Sequence, residues 1–149
     1  MIQLFTELQE KKNVRSNLSA LRASLKEATE EQKAQAIEFV RGHEDLVFGF
    51  LQEEDAKTRK NAALLLGDLA VQNALQPLWK AYTREQTLFV KSAYLEAMKA
   101  LHAEEILSQL KDRLAELEGE PVTEENRKHR EAELRALRAI LIQYEGCLL

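Results

Sequence analysis

Asp55-Ala-Lys-Thr58-Arg59-Lys-Asn-Ala62-Ala63-Leu-Leu-Leu66-Gly67-Asp-Leu69 is the stretch on which the reading of the fold turns. Asp55 has the side chain of a helix cap, and the apolar residues behind it recur at helical spacing. Thirty-two residues after Arg59 stands Lys91, within Thr87-Leu-Phe-Val90-Lys91-Ser-Ala93-Tyr-Leu95-Glu-Ala97-Met98-Lys-Ala-Leu101. Laid over the first stretch, Ala63 falls on Leu95 and Leu66 on Met98. Between the two, Ala74-Leu75-Gln-Pro77-Leu78-Trp79-Lys-Ala-Tyr82 supplies a shorter helix. A repeat of this length built from two helices is the mark of a solenoid, in which each unit buries its apolar side on its neighbours. The longer helices carry apolar residues on more than one side, as packing between two neighbours requires. Ala62, Ala63, Gly67, Ala93 and Ala97 allow close approach.

Helical spacing continues outward in both directions. Residues 2–11 form a first segment with Ile2, Leu4, Phe5 and Leu8 inward. Asn13 is positioned to cap a second, reaching about Lys26 with Val14, Leu18, Leu21 and Leu25 on one side. Thr29 and Gln32 have capping-box spacing and start a third that ends near Gly42. A fourth covers 44–53, and Asp55 opens a fifth running to about Val71. The sixth spans 74–84, with Pro77 in its first turn where its missing N–H breaks no helical bond. The seventh covers 87–101. An eighth follows His102 and stops before Gly119 and Pro121, with Leu107, Leu110, Leu114 and Leu117 in one stripe. Thr123 is expected to cap the last, which buries Leu134, Leu137, Ile140, Leu141 and Tyr144. No stretch alternates strictly enough for a strand. The expected fold is all-α: an α-solenoid of stacked antiparallel helix pairs, about nine helices, in one domain over 1–149.

Composition supports this. The chain is 45% hydrophobic, 31% charged and only 6% aromatic, with five glycines and two prolines to interrupt helices. A net charge of -4 argues against nucleic-acid binding as a whole-chain property, because neutralising phosphates needs a basic excess. Cys147 is the sole cysteine, which excludes an intrachain disulfide and fits a reducing compartment. The first residues lack the unbroken apolar core of a signal peptide, and no run approaches the roughly 18 apolar residues of a membrane span. The expectation is a cytoplasmic, bacterial type of protein with no membrane partner.

The pattern Asp55-x-x-x-Arg59-x-x-Ala62-Ala63-x-x-Leu66-Gly67-x-Leu69 resembles the HEAT repeat, particularly the short bacterial form first noted in phycobilisome lyases. Residues 74–82 resemble that repeat's first helix, its proline included. The likeness is strongest over 44–101. Asn13-Val14-Arg15 is similar to the start of another second helix, and 127–137 to a last one. The resemblance implies a ladder between the helix-start Asp and Arg of neighbouring repeats. Asp55 and Arg59 match those places, whereas the acid expected before Lys91 is missing, so the ladder is expected to break there. The whole chain is also similar to HEAT-type leaders that precede RNA-methyltransferase modules in bacteria, although no motif of the catalytic module is present.

Convergent catalytic groups are not evident, and no catalytic, metal or cofactor site is expected. His43, His102 and His129 stand at segment ends without a second His at i+3 or i+4, and read as solvated. His43-Glu44 is one His-Glu pair, too few for the di-iron centre of HEAT-repeat hydroxylases. Trp79 and Tyr82 share a helical side with Leu75 and Leu78, which points to the core rather than to a ligand. Cys147 has no His near it in sequence to activate it as a nucleophile. Basic residues recur on the second-position helices, and in HEAT solenoids those helices line the concave surface. Arg15, Arg59, Lys91, Lys99 and Arg130 are the candidate binding residues. Against that, Arg59 is expected to pair locally with Asp55 or Glu54, and exposed lysines commonly serve solubility.

The function expected is non-enzymatic: a protein-interaction or scaffolding module whose partner is another protein or an adjacent domain of the same polypeptide. The apolar tail over 140–149 fits a piece of a longer chain. The alternative is an accessory RNA- or nucleic-acid-associated domain attached to a methyltransferase-type catalytic module.

Overall fold

Short-range hydrogen bonds set where the helices begin. Thr29 accepts from the Gln32 N–H, and Gln32 accepts in return from the Thr29 N–H, so the expected capping box is complete. Asp55 accepts from both the N–H and the hydroxyl of Thr58. The computed structural model describes residues 1–144, and among them there are nine α-helices and no strand. These are α1 (Ile2–Gln9), α2 (Val14–Leu25), α3 (Glu30–Gly42), α4 (Glu44–Gly49), α5 (Ala56–Asp68), α6 (Leu75–Arg84), α7 (Leu88–Lys99), α8 (Leu107–Gly119) and α9 (Arg127–Leu141). A 3-10 turn, Phe50–Gln52, extends α4, and two more lead into α6 and α8. Among the described residues no helix is long and apolar enough to cross a membrane.

Two expected caps differ. Asn13 lies in the left-handed region with φ 45°, and its side chain makes no cap hydrogen bond. With that backbone its carbonyl, not its amide, serves the helix start, accepting from the Ser16 hydroxyl and the Asn17 N–H. Thr123 does exchange hydrogen bonds with Asn126, but these close a separate turn and α9 starts only at Arg127. The Asn126 side chain also donates to the Pro121 carbonyl, which holds that turn against the preceding loop.

Sequence neighbours pack on one another: α1 on α2, the 3-10 extension of α4 on α5, α6 on α7 and α8 on α9. The second member of each pair also packs on the next, so that α2, α5, α7 and α9 lie against one another in that order. α3 is tied in through Phe39, whose ring stacks on Phe5 of α1 and on His43, each at 4.6 Å between centroids. A single core runs through all pairs, from Leu8 and Leu18 to Ile140 and Leu141. The central helices are buried on several sides, α5 through Ala62, Ala63, Leu65 and Leu66, α7 through Val90, Ala93, Tyr94, Leu95, Ala97 and Met98.

α5 and α7 meet at backbone distance. A Cβ placed on Gly67 would stand 2.9 Å from the Cα of Ala97 and 3.2 Å from its Cβ. Just beyond, α5 ends with Ala70 in the left-handed region (φ 50°), its N–H bonded to the Gly67 carbonyl and the Val71 N–H to the Leu66 carbonyl. Alanine is tolerated there at a cost that glycine would avoid.

Two substitutions test this geometry by chemical denaturation. Gly67→Ala gains about 1 kcal/mol of helix propensity, yet overpacking against fixed backbone costs about 1–3 kcal/mol, so a net loss of stability is expected. Ala70→Gly is expected to stabilise by about 0.5–1 kcal/mol, the relief of the left-handed alanine less the added chain entropy of glycine.

Candidate functional site

Two acidic side chains are withdrawn from water, and each must be met by donors. Glu85, in the loop between α6 and α7, has 5% of its side chain exposed, and Glu133 of α9 has 6%. Arg59 of α5 forks onto Glu85 through Nε and Nη2, both at 2.9 Å. The Tyr94 hydroxyl donates to the same carboxylate at 3.1 Å and the Thr87 N–H at 3.2 Å. The remaining Arg59 nitrogen, Nη1, donates to the carbonyls of Glu53 and Glu54 at 2.8 Å each. Glu133 receives the Tyr82 hydroxyl, Arg113 Nε at 3.0 Å and Lys91 Nζ at 3.5 Å. One carboxylate therefore joins α6, α7, α8 and α9.

Burial pushes both carboxyls upward, but the donors outweigh it. Glu133 is held below the usual carboxylate range by hydrogen bonds from Arg113 and Tyr82 and by the charges of Lys91 and Arg113. Glu85 is held down likewise by Arg59, the Thr87 N–H and Tyr94. Burial and then the adjoining carboxylates raise the phenols of Tyr82 and Tyr94 above their ordinary range. Near neutral pH Glu85 and Glu133 are therefore ionised acceptors, and Tyr82 and Tyr94 are protonated donors to them.

Cations of α2, α5 and α7 each reach an acid on or just ahead of the next helix in that series. Arg15 of α2 meets Asp55 at 3.4 Å, and Arg22 meets Asp68 of α5 at 2.8 Å. Arg59 of α5 meets Glu85, and Lys91 of α7 meets Glu133. The expected break before Lys91 does not occur, because Glu85 supplies the acid from the loop instead of the capping position. The expectation that Arg59 pairs with Asp55 or Glu54 is also corrected: its carboxylate partner is Glu85, and Glu54 contributes only its carbonyl.

The five candidate binding residues are dispersed. Arg15 keeps 53% of its side chain exposed beside Asp55, at the cleft between α2 and α5. Arg59 and Lys91 keep 17% and 22%, with their charges committed as described. Arg130 Nε donates to the Leu117 carbonyl and Nη2 to that of Glu118, closing the C-terminal end of α8. Lys99 is exposed in the last turn of α7 and has no ion pair among the described residues. The structure thus partners four of the five with acids or carbonyls rather than gathering them.

His102 and His129 are exposed. His43 is not simply solvated: half-buried on Phe39, it has Nδ1 2.8 Å from the Phe39 carbonyl and Nε2 2.6 Å from the Gln9 amide. Glu44 accepts from the Asn73 side chain. Trp79 packs one side on the core and lies 5.3 Å from the Tyr82 ring. It also borders a cleft of about 390 Å³ with Lys91, Gln109, Asp112, Arg113 and Glu116. Cys147 and the apolar tail from residue 145 onward lie outside the described residues.

Glu85, Arg113 and Glu133 were not singled out from the sequence. Glu133 did carry a signal, standing at i-4 from Leu137 and i-7 from Ile140 on the buried side of its helix. Glu85 carried none, because a loop has no period. No protein-family model matches the chain, and no curated protein or solved structure is significantly similar to it.

Glu133→Gln is expected to cost about 2–3 kcal/mol, less than a wholly buried broken pair because Lys91 and Arg113 each keep some contact with water. In the parent protein, Glu85 and Glu133 hold their charge more readily folded than unfolded. Their contribution is complete above the ordinary carboxylate value of 4.5 and is lost as pH falls through their lower folded values. Tyr82 and Tyr94, raised when folded, contribute fully below 10.0 and lose that contribution at higher pH. Denaturation midpoints measured across pH should form a plateau between these limits, with a shallower acid limb in Glu133→Gln.

Proposed function

We propose that this chain is a HEAT-type α-solenoid that acts as a non-enzymatic, cytoplasmic docking scaffold for a protein partner or an adjacent domain. The observation that carries the reading is the serial packing of α2, α5, α7 and α9, each backed by the helix before it. In such an array the core lies between units, so residues on the outer faces can change without unsettling it. The ion pairs from Arg15 to Asp55, Arg59 to Glu85 and Lys91 to Glu133 support it further, since they tie each unit to the next. A rigid surface loses less freedom on binding than a mobile one.

An accessory nucleic-acid role has less support. Phosphate neutralisation needs available cations, and those of Arg59, Lys91 and Arg130 are engaged within the chain.

Small-angle scattering should give an elongated particle, and a partner isolated by affinity capture should bind again when both components are purified. Charge reversal at Lys99 and Arg135, exposed on α7 and α9, is expected to weaken that binding, while reversal at Lys111 of α8 leaves it unchanged. A near-spherical particle would count against the stack. Salt-sensitive tRNA binding abolished by Arg135→Glu would transfer the assignment to the accessory nucleic-acid reading.

A further inference from the structure

The series of ion pairs along the inner helices stops at α9 with a cation in place and no acid opposite it. Arg59 is the fourth residue of α5, Lys91 the fourth of α7 and Arg130 the fourth of α9. Arg59 does two things. Its Nη1 donates to the carbonyls of Glu53 and Glu54, ahead of its own helix, and its Nε and Nη2 grip Glu85, ahead of the next inner helix. Arg130 repeats the first: its Nε and Nη2 donate to the carbonyls of Leu117 and Glu118 at the end of α8. The second is missing. Arg130 makes no ion pair among the described residues.

The surroundings of Arg130 are basic as well. It borders a cleft of about 470 Å³ between the end of α8 and α9, together with Leu134, Arg135 and Arg138. Arg127, Glu131, Arg135 and Arg138 stand at helical spacing on one exposed side of α9, with Lys128 beside them. Arg127, Lys128 and Arg135 have no ion pair among the described residues. The acids bordering the cleft are Glu118 and Glu131. Glu118 meets Arg138 at 3.4 Å with half of each side chain exposed, a contact that water weakens. One turn beyond Arg138 stands Ile142, 72% exposed.

We infer that this face of α9 docks an acidic segment of a protein partner, whose carboxylates supply the missing acid at Arg130 and meet Arg135 and Arg138. The inference rests on the docking role proposed above and names the chemistry of the partner. Three ion pairs of this kind already join helices within the chain, so the partner continues an arrangement the structure uses. It does not continue the close packing. The twelfth residue of α5, where α7 approaches at backbone distance, is Gly67, whereas the twelfth of α9 is Arg138. A long charged side chain there holds a neighbour off and favours contact through carboxylates. A nucleic-acid strand fits less well, because the basic face is confined to one helix and Ile142 offers an apolar contact that phosphates cannot return.

The test is a titration of the full chain with a fluorescent helical peptide bearing glutamates at i and i+4 and leucines between them, beside its glutamine counterpart. Saturable, salt-sensitive binding of the glutamate peptide is expected, with amide shifts in the ¹⁵N-labelled chain centred on α9. Arg135→Glu with Arg138→Glu, both exposed, should weaken it by about tenfold or more, and a lysine-for-glutamate peptide should then bind the reversed chain. Arg130→Gln should weaken it too, whereas Lys111→Glu should titrate like the parent. Equal binding of the glutamine peptide, no saturation, or indifference to the double reversal would overturn the inference, as would an RNA oligonucleotide that binds α9 more tightly than the peptide. The partner recovered by affinity capture separates this inference from the docking role. Capture unaltered by the double reversal would remove this face and leave the scaffold standing, while no partner and no peptide binding would remove both.

Discussion

The contact that organises this chain is the approach of α5 to α7 at Gly67 and Ala97, where backbone nearly meets backbone. Helices held that close cannot slide far without collision, so their register is set by main-chain atoms rather than by flexible side chains. That register brings the N-terminal end of α5 beside the start of α7, where Arg59 finds Glu85. The same helices are lined with Ala62, Ala63, Ala93 and Ala97, which fill the space that larger residues would force open.

The buried carboxylates are the electrostatic counterpart of that packing. An unpaired buried charge is strongly disfavoured, and Glu85 and Glu133 become acceptable only when particular helices arrive with donors in place. Glu133 requires Tyr82, Lys91 and Arg113 from three other helices. Misregistered arrangements of the same apolar stripes would leave it without them. In this chain the polar clusters thus discriminate between packings that hydrophobic burial alone would rank closely. They also hold Arg59 and Lys91 in ion pairs within the chain.

Between α2 and α5, toward the first pair, the charges are less engaged. There Arg15 is held loosely, Lys57 and Lys60 stand free of ion pairs among the described residues, and α2 lacks a side-chain cap. Among the described residues Thr29 caps α3 and Asp55 caps α5, and Arg130 closes the end of α8, whereas α1, α4, α6, α7, α8 and α9 begin, like α2, without a side-chain cap.

Helices, their order and most of their boundaries were legible in the chain, because apolar period, capping residues and small-residue positions are local properties. Leu107, Leu110, Leu114 and Leu117 mark one side of α8 whatever lies opposite, and Asp55 caps α5 from within its own turn. Asn13 and Thr123 misled because a side chain able to cap needs the right backbone, and neighbouring loops decided that. Which acid meets which cation was not legible, since Arg59 and Glu85 stand 26 residues apart and Lys91 and Glu133 stand 42 apart. Sequence alone determined an all-helical chain with repeated small-residue helices. Tertiary structure decided which charges are consumed and which remain available, because that depends on distances between helices, and those exist only once α2, α5, α7 and α9 lie side by side.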